Sequence, residues 1–514
     1  MQEQKHIPGP SSILLVILLA AAVKFALHMY IAPGYGYFGD ELYTIALSKH
    51  LAFGYVDLPP LVPALVALSR ALLGESLFAL HIVPALAGAV RLVFTCLIVK
   101  EFGGRTFAVS LTALGSIIVP IWLGLDSIFC YDSIDQMVLA GFLYVLVRFL
   151  RTGDRRLWIL LGLIAGIACN TKMTILFLGP GFLIALLISK YRRDLFTPWP
   201  WLGAALCLIL VIPYLLWQIA NGWPTLEYWA NYGAIRVYQA SLPQYLINVL
   251  VYMNLFLLPL WLVGLYRIFS PLEGVNYSFL GLLFLLTLAL MFLLHAAVRM
   301  LAELFIPLLA AGSVCLEEWF SGLRWGKIAR TAVIAYLLAI TVLIIPLTLP
   351  VLPADRYPAF AENFNSPYLT VKEFNGTSQG SLGSLLLSGR VGWEELVRDI
   401  AAVYDALPAE DRVVAGIYSN SYMPAGAVDL YGPEYGLPHA VSGSLTYYRW
   451  GPGYSWEVMI LITDKTNNLS VFFDECELGM PAKVELFIGR PYIFVCRKPT
   501  VSADVIWSSV KSYR

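Results

Sequence analysis

Long apolar stretches follow one another from the N-terminus to about residue 350, and most approach the length that a helix needs to cross a bilayer. Only 13% of the 514 residues are charged and 59% are hydrophobic, whereas about 25% of a soluble domain is charged. The chain is therefore predicted to be a polytopic α-helical membrane protein. Its formal net charge of zero argues against nucleic acid as a partner.

The apolar stretches predict about eleven membrane-spanning helices, with about thirteen as an upper bound. They lie at roughly 11–31, 79–99, 107–124, 134–150, 157–170, 174–190, 199–219, 245–267, 276–297, 299–317 and 329–350. The apolar run at 59–73 is too short to cross comfortably, so we predict a helix that lies against the membrane surface.

Basic residues fall in alternate loops between these spans, and the positive-inside rule makes such loops cytoplasmic. The basic residues of these loops are Lys100, Arg105, Arg151, Arg155, Arg156, Lys190, Arg192, Arg193, Arg267, Arg324, Lys327 and Arg330. The N-terminus is then cytoplasmic, and an odd number of spans places the C-terminus outside. We predict a multi-pass protein of the cell (inner) membrane.

From about residue 353 the composition changes to polar residues, glycines and short runs with strand character. We predict a transmembrane domain at 1–352, whose outer loop 32–78 carries juxtamembrane helices, and an extracytoplasmic α/β domain at 353–514. Strands are predicted at 412–418, 457–462 and 492–496, after an amphipathic helix at 393–407. Cys476 and Cys496 are candidates for a disulfide if this domain faces an oxidising compartment.

An acidic pair, Asp40 and Glu41, directly follows the first predicted span and a loop rich in glycine and aromatic residues. The pair is predicted to lie in the first turn of a helix, where the helix dipole favours negative charge. The simplest alternative is that Asp40 only caps this helix. Because carboxylates are costly near hydrocarbon, we expect chemistry or ion handling here.

Other acids precede or follow predicted spans on the same side. Asp57 stands before two prolines, where it is a candidate substrate ligand or a second helix cap. Asp126, Asp132 and Asp135 fall within ten residues. We expect at least one of these three to face the same cavity as Asp40, although a solvated loop face also accounts for two of them.

Two isolated cations, Lys172 and Arg299, are predicted on this side too. Either can hold a phosphate through charge-assisted hydrogen bonds, and the alternative is snorkelling or an ion pair with a loop carboxylate. Acids and cations together suit a reaction in which a carboxylate deprotonates an acceptor while cations hold a leaving phosphate. A sugar carried on a lipid phosphate is such a donor.

In several segments the sequence resembles the polyprenyl-phosphate-sugar glycosyltransferases of the GT-C fold. The most similar members are glycosyltransferase family 39 and its bacterial relatives, which include protein O-mannosyltransferases and the lipid A aminoarabinose transferase. The resemblance rests on the residues at 37–43, 51–61, 131–135, 216–227 and 302–312, and the segment 425–438 is similar to uncharacterised bacterial members.

The resemblance implies that Asp40 is the catalytic base, with Glu41 its usual neighbour, and that Asp135 is the second-loop acid, with Asp132 a competitor for that place. We predict Asp40, Glu41 and Asp135 as the catalytic residues. Lys172 matches a basic position of the family. The chain departs from the family pattern at Met173, where an aromatic residue is usual, and at 300–301, where a tyrosine pair is frequent.

We therefore hypothesise a glycosyltransferase that moves a sugar, with inversion, from a polyprenyl-phosphate donor to a lipid, glycan or protein acceptor on the outer face. Asp57, Asp132, Lys172, Arg299, Tyr37 and Tyr55 are the predicted substrate-binding residues. The sequence leaves open whether a divalent cation joins the acids. The main alternative is an ion-coupled transporter, and a silent scaffold protein is a third reading.

Overall fold

The computed structural model describes residues 10–235, 241–364, 371–372, 379–380, 387, 389–463, 468–483, 486 and 489–513. The chain forms two compact units. We call residues 1–34, 78–213 and 237–384 the helical unit, and residues 35–77, 214–236 and 385–514 the mixed unit. This division does not coincide with the predicted boundary at 353, because segments 35–77 and 214–236 group with the C-terminal residues.

The helical unit consists mainly of apolar helices, and each of the eleven predicted spans overlaps at least one of them. Its helices are α1 (Pro10–Ile31), α4 (Leu77–Glu101), α5 (Thr106–Ile117), α6 (Pro120–Leu125), α7 (Tyr131–Thr152), α8 (Leu157–Thr171), α9 (Ile175–Ile188), most of α10 (Pro198–Ala220), α12 (Leu242–Tyr252), α13 (Leu258–Ile268), α14 (Ser278–Leu293), α15 (Phe305–Gly322), α16 (Gly326–Thr348) and α17 (Tyr357–Glu362). Short strands β1 (Val371–Lys372) and β2 (Gln379–Gly380) pair antiparallel.

Not every predicted span is one straight helix. Among the described residues, six helices are long and apolar enough to cross a membrane, and two strongly bent pairs raise the number to eight if each pair is one span. The span predicted at 245–267 is one of these pairs, bent by 90°. The span predicted at 107–124 is divided between α5 and α6, because Pro120 lacks the N–H group that would continue the helix.

The loops that carry the predicted cytoplasmic charges contact one another at one end of the helical unit. Five contacts connect them: Glu101 with Arg148 and with Arg151, Arg155 with Asp194, Arg267 with Glu318, and the Glu317 carboxylate with the Arg105 main-chain N–H. This arrangement agrees with the alternation of basic loops in the sequence. Helix α7 ends at this end and begins, about 30 Å away along its axis, at Tyr131.

The mixed unit surrounds a five-stranded sheet of order β4-β3-β5-β7-β6. The strands are β3 (Ala415–Ser419), β4 (Ala440–Ser442), β5 (Val458–Thr463), β6 (Phe473–Pro481) and β7 (Tyr492–Pro499), and the helices are α2 (Gly39–Ser48), α3 (Leu61–Leu73), α11 (Pro224–Ile235), α18 (Trp393–Asp405), α19 (Ala409–Val414), α20 (Tyr422–Tyr431) and α21 (Ala503–Ser509). Strand β3 pairs parallel with β4 and β5, whereas β7 pairs antiparallel with β5 and β6.

The sheet confirms the predicted C-terminal α/β character, with one correction. Residues Arg412–Val414 end α19, and the strand begins only at Ala415. Helix α18 is the predicted amphipathic helix, since its buried side includes Leu396, Val397 and Ile400. Cys476 and Cys496 lie opposite each other on β6 and β7 and form the disulfide that was a candidate in the sequence.

Candidate active site

The loop before α2 has the tight turn that its glycines predict. Gly36 has a φ of +91°, a conformation that residues with a side chain rarely adopt. Gly39 begins α2 so close to α20 that an added Cβ would lie 2.8 Å from the Met423 sulfur. The two glycines therefore bring the first turn of α2, with Asp40 and Glu41, against α20.

Glu41 is fully buried, and its carboxylate accepts a hydrogen bond of 2.8 Å from the main-chain N–H of Phe38. This N–H stands at the start of α2, where helix geometry supplies no partner. Glu41 thus fixes the beginning of the helix, which is the local role that the sequence considered for Asp40.

The carboxylate of Asp40 has a different environment. It is partly exposed, and one of its oxygens accepts a hydrogen bond of 2.9 Å from the hydroxyl of Tyr422, the first residue of α20. A hydroxyl that donates to a carboxylate favours the charged form and restricts its orientation. The position of Asp40 in the first turn of α2 adds the favourable field of the helix dipole.

Asp57 lies beside Asp40 in the same cluster of tyrosines. The Tyr43 hydroxyl donates to Asp57 at 2.7 Å and accepts the Thr446 main-chain N–H at 3.2 Å. The rings of Tyr43 and Tyr422 are 4.7 Å apart, so they connect the surroundings of the two carboxylates. Burial raises the pKa of the Asp57 carboxyl to about 7, and the nearby negative charge of Asp40 acts in the same direction.

Tyr37 and Tyr55, which we predicted to bind substrate, lie inside the mixed unit. The Tyr37 hydroxyl donates to the main-chain oxygen of Glu75 at 3.2 Å. Tyr55 is 1% exposed, and its hydroxyl lies 3.3 Å from the main-chain oxygen of His50. These contacts support a packing role for both rings.

The segment 216–227, one of the patches that carry the family resemblance, holds the loop that contains Asp57. The side chains of Gln218 and Thr225 both donate to the main-chain oxygen of Tyr55, at 3.4 and 3.3 Å. The two side chains also bond to each other at 2.6 Å. This buried network positions the loop from which Asp57 projects.

In the helical unit, Asp126 is the centre of a buried ion-pair cluster. One of its oxygens lies 2.7 Å from the Lys24 ammonium and 2.5 Å from the Arg91 guanidinium, and none of the three side chains is exposed. The Arg91 guanidinium also stacks over the Trp122 ring, 4.5 Å from its centroid. The sequence analysis did not single out Lys24 or Arg91, because both lie inside predicted spans.

Asp132 and Asp135 are buried as well, at 8% and 3% exposure. The suggestion that a solvated loop face explains two of the three acids is therefore wrong. Asp132 forms an ion pair with Lys172, whose ammonium also lies 5.1 Å from the centre of the Tyr131 ring. Asp135 accepts a hydrogen bond of 3.2 Å from the Thr171 hydroxyl.

Arg299 lies in the 3₁₀ helix Val298–Leu304, between α14 and α15, and is partly exposed. Lys172 directly follows α8, so both predicted phosphate ligands belong to the helical unit. Within the described part of the chain, no group of three or more His, Cys, Asp or Glu residues is placed to hold a metal ion.

Near Asp40 and Asp57, the sequence analysis also missed Tyr43 and Tyr422. Tyr43 stands in the patch 37–43, next to the acidic pair, but has no feature of its own that marks it. Tyr422 lies 382 positions after Asp40, and nothing in the sequence connects the two.

Residues 57–217 match the family model described as dolichyl-phosphate-mannose-protein mannosyltransferase. The crystal structure of ArnT from Cupriavidus metallidurans bound to undecaprenyl phosphate superposes with a TM-score of 0.60 and 12% identity, over 95% of this chain and 98% of that chain. The apo state of that ArnT gives a TM-score of 0.58 and 12% identity, over 96% and 98% of the two chains. No curated protein sequence matches the chain.

These similarities confirm the predicted resemblance and the GT-C fold with its C-terminal sheet domain. The matched segment contains Asp57, Asp132, Asp135 and Lys172 but neither Asp40 nor Arg299. The roles of the last two residues therefore depend on their surroundings in this structure.

Proposed function

We propose that this chain is an integral membrane glycosyltransferase that moves a sugar, with inversion, to a lipid, glycan or protein acceptor on the extracytoplasmic face. The family match and the fold support a membrane glycosyltransferase that uses a polyprenyl-phosphate-linked sugar donor. Its acceptor, its stereochemistry and the membrane face on which it acts are the new parts of the proposal.

The general base is Asp40, and one observation carries this assignment. Its carboxylate is partly exposed and accepts the Tyr422 hydroxyl at 2.9 Å, so it is oriented yet still accessible to a substrate. The acceptor oxygen or nitrogen gives its proton to Asp40 while it attacks the anomeric carbon. The bond from that carbon to the phosphate oxygen breaks on the opposite face, and the phosphate leaves with the bonding electrons.

Glu41 and Asp57 act beside Asp40 without taking the proton in this scheme. Glu41 holds the start of α2 through its bond to the Phe38 N–H, which keeps Asp40 in the first turn. Asp57 is half-buried, and burial raises its carboxyl pKa to about 7, so near neutral pH it is able to donate as well as accept a hydrogen bond. That property suits a group that orients the hydroxyls of a sugar.

Lys172 and Arg299 remain the cations that we propose for the donor phosphate, and Asp135 or Asp132 the acid that positions a substrate. Lys172 forms an ion pair with Asp132, so on binding the donor its ammonium either leaves this carboxylate for the phosphate or contacts both groups at once. Arg299 has the planar guanidinium that matches two phosphate oxygens at once.

For the location we propose the cell (inner) membrane, with the N-terminus cytoplasmic and the C-terminal domain outside. The basic loops that contact one another at one end of the helical unit support this orientation, because cytoplasmic loops carry the excess of lysine and arginine. Donor carrier, acceptor and bilayer lipids are then its partners.

The substitution Asp40→Asn tests the catalytic assignment. It keeps the shape of the side chain and removes the base, so transfer from a radiolabelled polyprenyl-phosphate sugar should fall by about 10²–10⁴-fold. Expression and thermal stability should be unchanged. Asp405→Asn, an exposed site on the same unit, is the matched control. Transfer by Asp40→Asn at a rate near wild type would show that the assignment is wrong.

Mass spectrometry of lipids and envelope glycans from a deletion strain identifies the acceptor. A glycan or lipid that loses one sugar in the deletion strain, and regains it when the wild-type chain but not Asp40→Asn is restored, names both the sugar and its recipient. Uptake of a substrate into proteoliposomes that contain no polyprenyl-phosphate sugar would instead favour the transporter reading.

A further inference from the structure

The mixed unit contains a cavity of about 500 Å³ that has no role in the scheme above. It lies at the end of α2, next to β4 and the segment 445–453. Its lining includes Lys49, His50, Asp429, His439, Tyr447 and Trp450. A cavity of this size is in the range of small-ligand sites, which combine apolar or aromatic walls with a few polar groups.

Aromatic rings form one wall of this cavity. The His50 and Trp450 rings are 4.3 Å apart, and the Trp450 and Tyr447 rings meet edge to face at 4.6 Å. Each ring is thus held in place by its neighbour. An aromatic wall of this kind suits the apolar C–H face of a pyranose, which packs on ring surfaces while its hydroxyls point elsewhere.

The carboxylate of the cavity accepts its hydrogen bonds from uncharged protein groups, so the basic side chains that line the cavity are available to an anionic ligand. The Asp429 carboxylate is occupied by protein donors, since it accepts the Tyr447 hydroxyl at 2.6 Å and the Ala440 N–H at 2.9 Å. The exposed Lys49 ammonium donates to the main-chain oxygen of Asp429, at 3.2 Å, and not to its carboxylate. His50 and His439 add two further exposed basic side chains.

We propose that this cavity binds an acidic sugar residue of the acceptor, a pyranose that carries one carboxylate or phosphate group. The ring lies against Trp450, and the anion binds Lys49 with support from His50 and His439. This inference rests on the proposed function, because α2 carries Asp40 in its first turn and Lys49 just beyond its end. Nine residues of helix separate them by about 14 Å, a distance that a short saccharide covers.

Direct binding to the detergent-solubilised full chain tests the proposal. The probes are methyl glucuronide, glucose 6-phosphate, neutral methyl glucoside, inorganic phosphate and AMP, measured by saturation-transfer NMR and by quenching of tryptophan fluorescence. At least one acidic sugar should bind about tenfold more tightly than methyl glucoside. Which of the two acidic sugars binds better distinguishes a carboxylate from a phosphate.

Three results would overturn the proposal. Equal binding of methyl glucoside and both acidic sugars removes the role of the anion. Inorganic phosphate that binds as tightly as the better acidic sugar removes the role of the pyranose. AMP that binds more tightly than either sugar assigns the cavity to nucleotides instead.

Variants connect the binding to this cavity. Lys49→Gln should weaken the acidic sugar about tenfold and leave methyl glucoside unchanged, since Lys49 is exposed and its loss should not unfold the protein. Lys483→Gln removes the same charge from a side chain of the same unit that is 76% exposed and should change nothing. If Lys49→Gln and Lys483→Gln bind the acidic sugar equally well, the cavity is not the binding site. Trp450→Leu should weaken acidic and neutral sugars together.

The proposal and the proposed function fail separately. Asp40→Asn should retain sugar binding while it loses transfer. If the wild-type chain binds acidic sugars but has no transferase activity, the cavity binds such sugars and the proposed function is wrong. If the wild-type chain transfers sugar but shows no sugar binding that depends on Lys49, the proposed function stands and the cavity proposal is wrong.

Discussion

Asp40 and Asp57 of the mixed unit differ from Asp126 and Asp132 of the helical unit in the groups that stabilise their carboxylates. Asp40 and Asp57 accept hydrogen bonds from tyrosine hydroxyls, and both side chains are partly exposed. Asp126 and Asp132 form ion pairs with lysine or arginine, and both are buried. A count of acidic residues at the ends of spans does not distinguish these two sets.

The difference indicates which carboxylates are suited to proton transfer. A carboxylate that shares a buried ion pair is held by its cations, and removing one partner leaves a charge that is expensive in apolar surroundings. The Asp40 carboxylate accepts a neutral hydroxyl, which favours its charged form, and it is partly exposed, so that a substrate proton can reach it. We therefore assign chemistry to the Asp40 cluster, and stability first of all to the Asp126 cluster.

The largest effect is expected when the stability of Asp126→Asn is compared with that of Asp40→Asn. Asp126→Asn leaves Lys24 and Arg91 buried without their carboxylate, so the free energy of unfolding should fall by about 3–5 kcal/mol. Asp40→Asn should leave it unchanged. Thermal unfolding in detergent measures both variants.

Asp154→Asn, at an exposed position of the helical unit, controls for the loss of an acidic charge. If Asp126→Asn unfolds at the wild-type temperature, the buried ion pairs do not stabilise the fold and the proposed contrast fails. If Asp40→Asn also unfolds early, its loss of transfer no longer identifies the base.

Local patterns in the sequence predicted a large part of the fold. Apolar length indicated helical structure at each predicted span, and the glycines before Asp40 predicted the turn and the start of α2. The positions at which helices break were harder to predict, because whether Pro120 bends or ends a helix depends on the packing around it. The start of β3 was also missed, since valine at 413–414 has strand propensity while these residues end a helix.

The candidate site was predictable only in part. Asp40 and Asp57 were identified because each stands beside glycine or proline outside a predicted span. Their partners were not, since Tyr422 approaches Asp40 only through the packing of α2 against α20. The burial of Asp126 depends likewise on Lys24 and Arg91 from two other helices, and a sequence with no observed contacts does not connect them.

Tyr422→Phe tests whether the hydroxyl contact matters for the assigned base. It removes one hydrogen bond to the Asp40 carboxylate and keeps the ring, so we expect transfer to fall about tenfold with little change in stability. Tyr435→Phe removes a hydroxyl that contacts Arg398 near the surface of the same unit and should have no effect. Equal rates for the two variants would leave Asp40 without the support that we assign to Tyr422.

The smallest effect concerns the pH dependence of stability at Asp57. Burial raises the pKa of the Asp57 carboxyl from its ordinary value of 3.8 to about 7, so the folded chain keeps this proton between these two values while the unfolded chain releases it. The folded state therefore binds more protons in this window, and Asp57 contributes stability at pH 4 that is lost as the pH rises through 7. Because Asp57 is partly exposed, we expect this contribution to the free energy of unfolding to be only about 1 kcal/mol.

The substitution Asp57→Asn tests this dependence, because the variant has no such proton. The difference in unfolding temperature between wild type and variant should shrink or reverse from pH 4 to 8. A difference that stays constant over this range would show that Asp57 is ionised in the folded chain, like the ion-paired acids of the helical unit.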